Sequence, residues 1–361
     1  MRLLFFHNTL PEYRIEFWNQ LSELCDLTVA IIEPELESKV YGFEVGAVHF
    51  STLVVNKGQS NLQSIISDAD AVVLPPIDDL RCVKETFDIK RICKRNKVPF
   101  YFWTEKWEAP KEKTPIKKRI KNSIQRELFK ICSSGAKRYI ASGTKAKEYL
   151  EVIGVPQNKI GIAIDSSTSP DGERIDIREK YEIEEDKKII LYLGRLIKRK
   201  GCDVLIRACK DSLNTWNAVL LVCGDGKMMD ECKTLAEGSK NIIFAGKVQP
   251  SVRRSYYEQS DLFVLPSVIT DGIIEGWGLS VNEALECGTP VVVTDAVGAG
   301  YDLIDMSSGI VVRQGDLGDL KDGICGLINR TSDRDKCKEK YRSNSVEMMS
   351  VSFMRNIETK N

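Results

Sequence analysis

Histidine is scarce in this sequence: His7 and His49 are the only two in 361 residues. That leaves little for imidazole acid–base catalysis and too little for most zinc sites. None of the eleven cysteines forms a CxxC pair, and their spacings do not suit a zinc site. The odd count fits small buried thiols in a reducing cytoplasm, and Cys209, Cys223 and Cys287 lie in or beside apolar runs. No apolar run reaches about 18 residues, so no membrane span is expected. The opening Met1-Arg2-Leu3-Leu4-Phe5-Phe6-His7-Asn8 has too short an apolar run for a signal peptide and reads as a first strand. Net charge is also missing. Fifty-two basic residues balance fifty-two acidic ones, so global charge implies no nucleic-acid partner. No GxGxxG opens either half, which disfavours a dinucleotide dehydrogenase, and no short-period repeat marks a solenoid.

What is present is alternation. Short β-rich runs are separated by helical patterns almost throughout, which predicts parallel sheets covered on both faces. In the first half, strands are expected at Arg2–Phe6, Leu27–Ile32, Ala71–Leu74, Phe100–Trp103 and Tyr139–Ala141, with helices at Arg14–Leu24, Asn61–Ser67, Asp79–Arg95, Pro115–Cys132 and Lys145–Ile153. The polar stretch Asp165–Gly172 reads as a linker or hinge. The pattern then restarts, with strands expected at Lys188–Leu193, Ala218–Cys223, Ile242–Phe244, Leu262–Leu265, Val291–Thr294 and Ile310–Val312. The expected division is a first α/β domain over 1–168, a second over 176–335, and a C-terminal helical segment over 336–361 that packs back on the first. The architecture expected is two doubly wound, Rossmann-like domains facing a central cleft.

The chemistry concentrates in the second half. Glu275-Gly-Trp-Gly-Leu-Ser-Val-Asn-Glu283 places two carboxylates around two glycines and a helix start. Such a loop exposes backbone N–H groups and the positive end of a helix dipole, suited to phosphate. Ionised glutamates accept hydrogen bonds from sugar hydroxyls. The apolar strand ending at Gly194 is followed by four cations, Arg195, Lys198, Arg199 and Lys200. Ligands of open parallel sheets bind at the carboxyl ends of strands, where such cations can hold a diphosphate. Two further strand-to-loop junctions follow, at Gly224-Asp225-Gly226 and Phe244-Ala245-Gly246-Lys247-Val248. A tight turn accounts for the first, and the second could read the edge of a base.

The order GRLxKxKG, GDG, FxGxV, Asp261-Leu-Phe-Val-Leu-Pro-Ser267 and ExxxxxxxE with EALECGTPVV resembles the donor domain of retaining family 4 glycosyltransferases, which have the GT-B fold. The resemblance covers roughly Lys188 to Ile328. It implies that Arg195 and Lys200 hold the donor diphosphate, that Glu275 contacts the donor sugar beside the reacting centre, and that Glu283 accepts from the ribose. It further implies that Gly224 approaches the donor, that Val248 lies beside the base, and that Gly276, Trp277, Gly278, Leu279 and Ser280 present backbone amides to sugar and phosphate. The implied donor is a UDP- or GDP-sugar, the acceptor a saccharide or lipid-linked molecule, and the mechanism retaining, with no cofactor and no metal ion.

Two departures concern the acceptor side. The family's Gly-Gly loop after the first strand is replaced by His7-Asn8-Thr9-Leu10-Pro11-Glu12-Tyr13-Arg14, and a frequent histidine by Trp103-Thr104-Glu105. His7, Arg14 and Glu105 are candidate replacements by position. Paired carboxylates also serve glycoside hydrolases, but nothing else here supports hydrolysis. A catalytically silent sugar-nucleotide-binding protein and a sugar-nucleotide epimerase of similar architecture stay open as alternatives.

One region speaks to a surface. Residues 106–148 contain thirteen Lys/Arg against four Glu. Thr114-Pro115 reads as a helix cap, and Ile116, Ile120, Ile124 and Leu128 follow at a spacing of four among Lys117, Lys118, Arg119, Lys121 and Arg126. The ordinary reading puts this stripe on the core. The sharper one is a peripheral contact with anionic lipid, at the cytoplasmic face of a membrane, or with a lipid diphosphate acceptor.

Overall fold

The computed structural model describes residues 1–32, 47–55, 62–76, 82–330 and 333–359. The chain divides into two compact units. The first comprises 1–107, 115–166 and 346–361, and the second 108–114 and 167–345.

The first unit holds β1 (Arg2–His7), β2 (Asp26–Ile31), β3 (Ser51–Val54), β4 (Ala71–Val73), β5 (Phe100–Thr104), β6 (Arg138–Ala141) and β7 (Ile160–Ile162), in the order β3-β2-β1-β4-β5-β6-β7. All pairings are parallel. The sheet is covered on both faces, and β1 shows why its sequence is a continuous apolar run. Leu3 and Phe5 enter one cluster with Phe17, Trp18 and Trp103, while Leu4 and Phe6 enter the other with Ile66, Ile89 and Phe102. Alternation across the strand feeds both layers. β3 was not foreseen. It is an edge strand whose residues are mostly exposed, so it carries no apolar signature.

The second unit holds β8 (Lys188–Leu193), β9 (Ala218–Cys223), β10 (Ile242–Gly246), β11 (Leu262–Leu265), β12 (Val291–Thr294) and β13 (Gly309–Val312), in the order β10-β9-β8-β11-β12-β13. It too is all parallel. In both sheets the order reverses beside the first strand of the unit, which is where doubly wound sheets open a ligand crevice.

The expected boundaries shift in four places. Asp165, Ser166, Ser167 and Ser169, read as linker, are buried, although the chain does cross from one unit to the other between Ser166 and Ser167. Part of the stretch is hydrogen-bonded instead of solvated: Ser169 N–H and the Thr168 hydroxyl donate to Glu286 at 2.6 and 2.7 Å, while the buried Ser169 hydroxyl has no partner among the described residues. The C-terminal segment is two helices. Arg334–Arg342 belongs to the second unit, and Val346–Glu358 to the first. Phe353 of the latter stacks on Phe5 with ring centroids 5.7 Å apart, and Tyr101 donates to the Ile357 carbonyl at 2.8 Å. Thr114 does not cap a helix. It is buried and its hydroxyl donates to the Pro110 carbonyl at 2.8 Å, while Pro115 precedes the helix Ile116–Ser133. That helix turns Asn122, Gln125, Phe129 and Cys132 inward, and leaves Ile116, Ile120 and Ile124 exposed. The core reading of its isoleucine stripe is therefore overturned. Of the expected helices, Asn61 and residues 79–81 lie outside the described residues.

Candidate active site

In the second unit the cations that follow β8 meet the loop that follows β11. Gly201 makes this approach possible. Its φ of 68° is left-handed, and a Cβ there would stand 2.0 Å from the Pro266 carbonyl oxygen. The Val268 N–H donates to the Arg199 carbonyl at 2.8 Å, locking the two segments together. Glu275 is pinned from the other side by a parallel bridge to Val297, with its N–H on the Ala296 carbonyl and its own carbonyl accepting from Gly298.

The four cations divide their work. Lys200 Nζ lies 2.9 Å from Glu275 Oε2, and Arg199 donates to the same oxygen. The Ser267 hydroxyl, at 3.4 Å, is a third donor to it. Lys198 is turned away onto Asp203 at 2.6 Å. Arg195 is exposed, with no ion-pair partner among the described residues. Arg195, expected beside Lys200, does not reach the carboxylate, and Arg199 is its direct partner with Lys200 instead. Spacing alone could not separate these cations, because the short 3₁₀ turn Lys198–Lys200 decides which way each points. Burial pushes the Glu275 carboxyl up, but Lys200 and Arg199 outweigh it and hold its pKa below the ordinary carboxylate value. Glu275 is therefore ionised at neutral pH. Its Oε1 has no hydrogen bond among the described residues.

The rest of the loop is built for shape. Trp277 is buried and its indole N–H donates to Asn282 Oδ1 at 2.9 Å, so its side chain is core. The helix Ser280–Glu286 begins here, and the Leu279 and Ser280 N–H groups have no backbone acceptor among the described residues. Glu283, in the first turn, is buried and already engaged. Tyr257 donates to Oε2 at 2.8 Å and Arg253 to Oε1 at 3.0 Å. Each carboxylate oxygen has a second lone pair, so this network orients Glu283 without exhausting it. Burial, and then the Glu283 charge, push the Tyr257 hydroxyl well above its ordinary pKa. Neither Tyr257 nor Arg253 was foreseen, because both lie on Pro250–Glu258, a helix distant in sequence. Gly224 is tied to the fold: its φ is 139°, and a Cβ would stand 1.9 Å from the Gly194 carbonyl oxygen. Val248 is half-buried just beyond β10.

In the first unit, Arg14 and Glu105 are brought together, with a third member that the sequence reading placed in a linker. Arg14 is buried and forms ion pairs with both Asp165 and Glu105. Its second nitrogen also donates to Asp165 Oδ2 at 2.8 Å, and the guanidinium lies 4.6 Å from the Trp103 ring centroid. Burial pushes the Arg14 pKa down, but Asp165 and Glu105 outweigh it and raise it above the ordinary value. His7, at the end of β1, contacts the Thr9 carbonyl through Nδ1 at 2.7 Å. A carbonyl only accepts, so Nδ1 carries the proton. Burial lowers the His7 pKa to about 4, against the Thr9 contact and with help from Arg14. The ring is neutral at pH 7, with its lone pair on Nε2.

A family model described as glycosyl transferases group 1 matches residues 173–344, the span that carries the Glu275 cluster. That span, nearly the whole of the second unit's 167–345 stretch, is similar to group 1 glycosyltransferases. An uncharacterized glycosyltransferase of Methanocaldococcus jannaschii is 36% identical over 130 residues, covering 35% of this chain and 32% of that protein. The GDP-mannose-dependent alpha-(1-6)-phosphatidylinositol monomannoside mannosyltransferase of Mycolicibacterium smegmatis is 26% identical over 175 residues, covering 46% and 45%. A capsular polysaccharide biosynthesis glycosyltransferase of Staphylococcus aureus is 30% identical over 165 residues, covering 44% and 42%. The matched part of the chain spans less than half the length of these curated relatives. Among solved structures, Anabaena HepE in complex with UDP superposes with a TM-score of 0.76 at 13% identity, over 99% of each chain. The lipopolysaccharide outer core galactosyltransferase WaaB in its apo form gives 0.68 at 14% identity, again over 99% of each. These likenesses, with the two all-parallel sheets, show a GT-B fold of two Rossmann-like units.

Proposed function

We propose that this chain transfers a sugar from a nucleotide diphosphate donor to a saccharide or lipid-linked acceptor, with retention at the anomeric carbon and without a metal ion. The observation that carries the reading is the carboxylate–cation cluster of Glu275, Lys200 and Arg199, set where the β8–β11 strand order reverses in a unit similar to group 1 glycosyltransferases.

The chemistry follows from charge. Departure of a nucleoside diphosphate leaves anionic oxygens, and donors fixed in a half-buried site stabilise that charge without reorganising. Lys200 and Arg199 are such donors, and exposed Arg195 adds a third cation in the loop between β8 and their turn. With that charge supplied by side chains, neither a metal nor a strong general acid is required. Glu275 is held ionised, so it accepts a hydrogen bond from a sugar hydroxyl and does not deliver a proton. This is the wrong state for the acid of a glycoside hydrolase. Glu283, oriented by Tyr257 and Arg253, is the second acceptor, for the ribose. The names of the relatives support a setting in glycolipid or surface polysaccharide synthesis, and the comparisons favour neither a silent binding protein nor an epimerase.

The test is a panel of UDP, GDP and their sugars against the full chain, read by thermal shift and by sugar release. A ligand at about 100 times its Kd stabilises by roughly 2.7 kcal/mol. Glu275→Gln should retain nucleotide binding and lose turnover by about 100-fold or more. Lys200→Met should weaken diphosphate binding. Wild-type binding without any turnover would return the binding-protein reading, and no binding by any member of the panel would sink the donor site.

A further inference from the structure

The helix Ile116–Ser133 of the first unit is amphipathic in an inverted sense. Its inward face is Asn122, Gln125, Phe129, Cys132 and Ser133. On the outside, Ile116 is 70% exposed, Ile120 58%, Ile124 54% and Ile131 53%. At about 100° per residue, Ile120, Ile131 and Ile124 stand about 40°, 60° and 80° around from Ile116, so the four form one stripe. The stripe is centred roughly opposite the buried face. Lys117 and Lys121 lie along one border at about 100° and 140°, and Arg119 and Lys130 along the other at about 300° and 320°. Glu127, the one acid of the helix, stands at about 20°, within the stripe, where its charge is matched by Lys130 at 2.9 Å.

Isolated exposed isoleucines need no explanation, but four in a row do. The bordering charges decide what they fit. A protein–protein interface core is depleted in lysine. Here cations run down both sides of the apolar stripe, where their long stems can lie along the hydrocarbon while their heads reach outward. Apolar residues centred between cations are the pattern of a helix lying in the plane of a lipid headgroup layer. The sign selects the lipid: the helix has six Lys/Arg against one Glu in a chain of zero formal charge, and such a local excess is drawn to anionic headgroups.

We propose that the exposed face of Ile116–Ser133 docks on an anionic phospholipid surface, with Ile116, Ile120, Ile124 and Ile131 inserted and Lys117, Lys121 and Arg119 on the headgroups. No helix among the described residues is long and apolar enough to cross a membrane, so this contact is peripheral and reversible. It draws on no residue of the donor site and stands whether or not the transferase reading does.

Co-sedimentation of the full chain with two kinds of vesicle tests it: phosphatidylcholine alone, and an equimolar mixture with phosphatidylglycerol. The wild type should pellet with the mixture only. It should be released as salt shortens the screening length from about 10 Å at 0.1 M to about 3 Å at 1 M. Ile120→Glu/Ile124→Glu should lower partitioning by about tenfold or more, and Lys117→Glu/Lys121→Glu should lower it with a weaker salt response. All these side chains are exposed, so melting temperature and nucleotide binding should be unchanged. Val152→Glu, an exposed site on another helix, should pellet like the wild type. Equal pelleting with both vesicles, or with neither, overturns the proposal. So does a Val152→Glu defect as large as that of the isoleucine pair. A solution dimer that Ile120→Glu/Ile124→Glu dissociates, without vesicle binding by the wild type, would reassign the stripe to a second copy of the chain.

Discussion

Replacing Arg14 by Met should unsettle the first unit far more than a surface change would. The guanidinium is buried, bonds both oxygens of the buried Asp165, and reaches Glu105. Removing one member of a buried ion pair costs about 3–5 kcal/mol, because the remaining charge stays desolvated. Glu105 is 39% exposed on its side chain, so most of that cost falls on Asp165. Loss of the contact with Trp103 adds about 0.5–2 kcal/mol. For a unit of about 150–250 residues each kcal/mol lowers Tm by about 2–4 °C, so a combined loss of about 3.5–7 kcal/mol should lower the first-unit transition by about 7–28 °C. Calorimetry of the full chain reads it directly. Asp165→Asn should also destabilise, and the Arg14→Met/Asp165→Asn double variant should cost clearly less than the sum of the singles, since each removes the other's reason to be there. Additive single costs, or a loss below about 1 kcal/mol for Arg14→Met, would refute the reasoning. They would leave Arg14 as a residue placed for a ligand, with the fold indifferent to it.

Two further outcomes follow from the same geometry. The His7 pKa is about 4 in the folded chain and ordinarily 6.5, so the unfolded chain binds the extra proton between those values. Its contribution is therefore whole above pH 6.5 and lost as pH falls toward 4, by about 3 kcal/mol; urea titrations should show His7→Asn flattening that limb, and an unchanged slope would count against it. Gly224→Ala meets the Gly194 carbonyl oxygen at 1.9 Å with φ at 139°, whereas Gly238→Ala has φ of 80° and nothing within 4 Å. The first should lose several kcal/mol and the second only about 1 kcal/mol, the cost of a left-handed residue with a Cβ, and equal losses on chemical denaturation would remove Gly224 from the strand-end architecture.

Much of this molecule is local and so legible in order along the chain. The parallel strands at Lys188–Leu193, Ala218–Cys223, Leu262–Leu265 and Val291–Thr294, buried but for the two ends of the first, are continuous apolar runs because both sheet faces are covered, and their limits match the sequence expectation residue for residue. The Glu275 loop was legible for the same reason: glycines, carboxylates and a helix start stand next to one another. What adjacency does not encode, only the tertiary structure decided. Arg199 joins Lys200 on Glu275 because a 3₁₀ turn aims them there. Tyr257 and Arg253 reach Glu283 from a helix that precedes it by two elements. Asp165 reads as a polar linker residue until Arg14, 151 positions away, neutralises it in the core. The isoleucine stripe carries the opposite lesson. Its spacing specifies a helix face, but spacing alone cannot say whether that face meets protein or solvent. The packing of Asn122, Gln125 and Phe129 settles that, since a helix has one inward side and they occupy it.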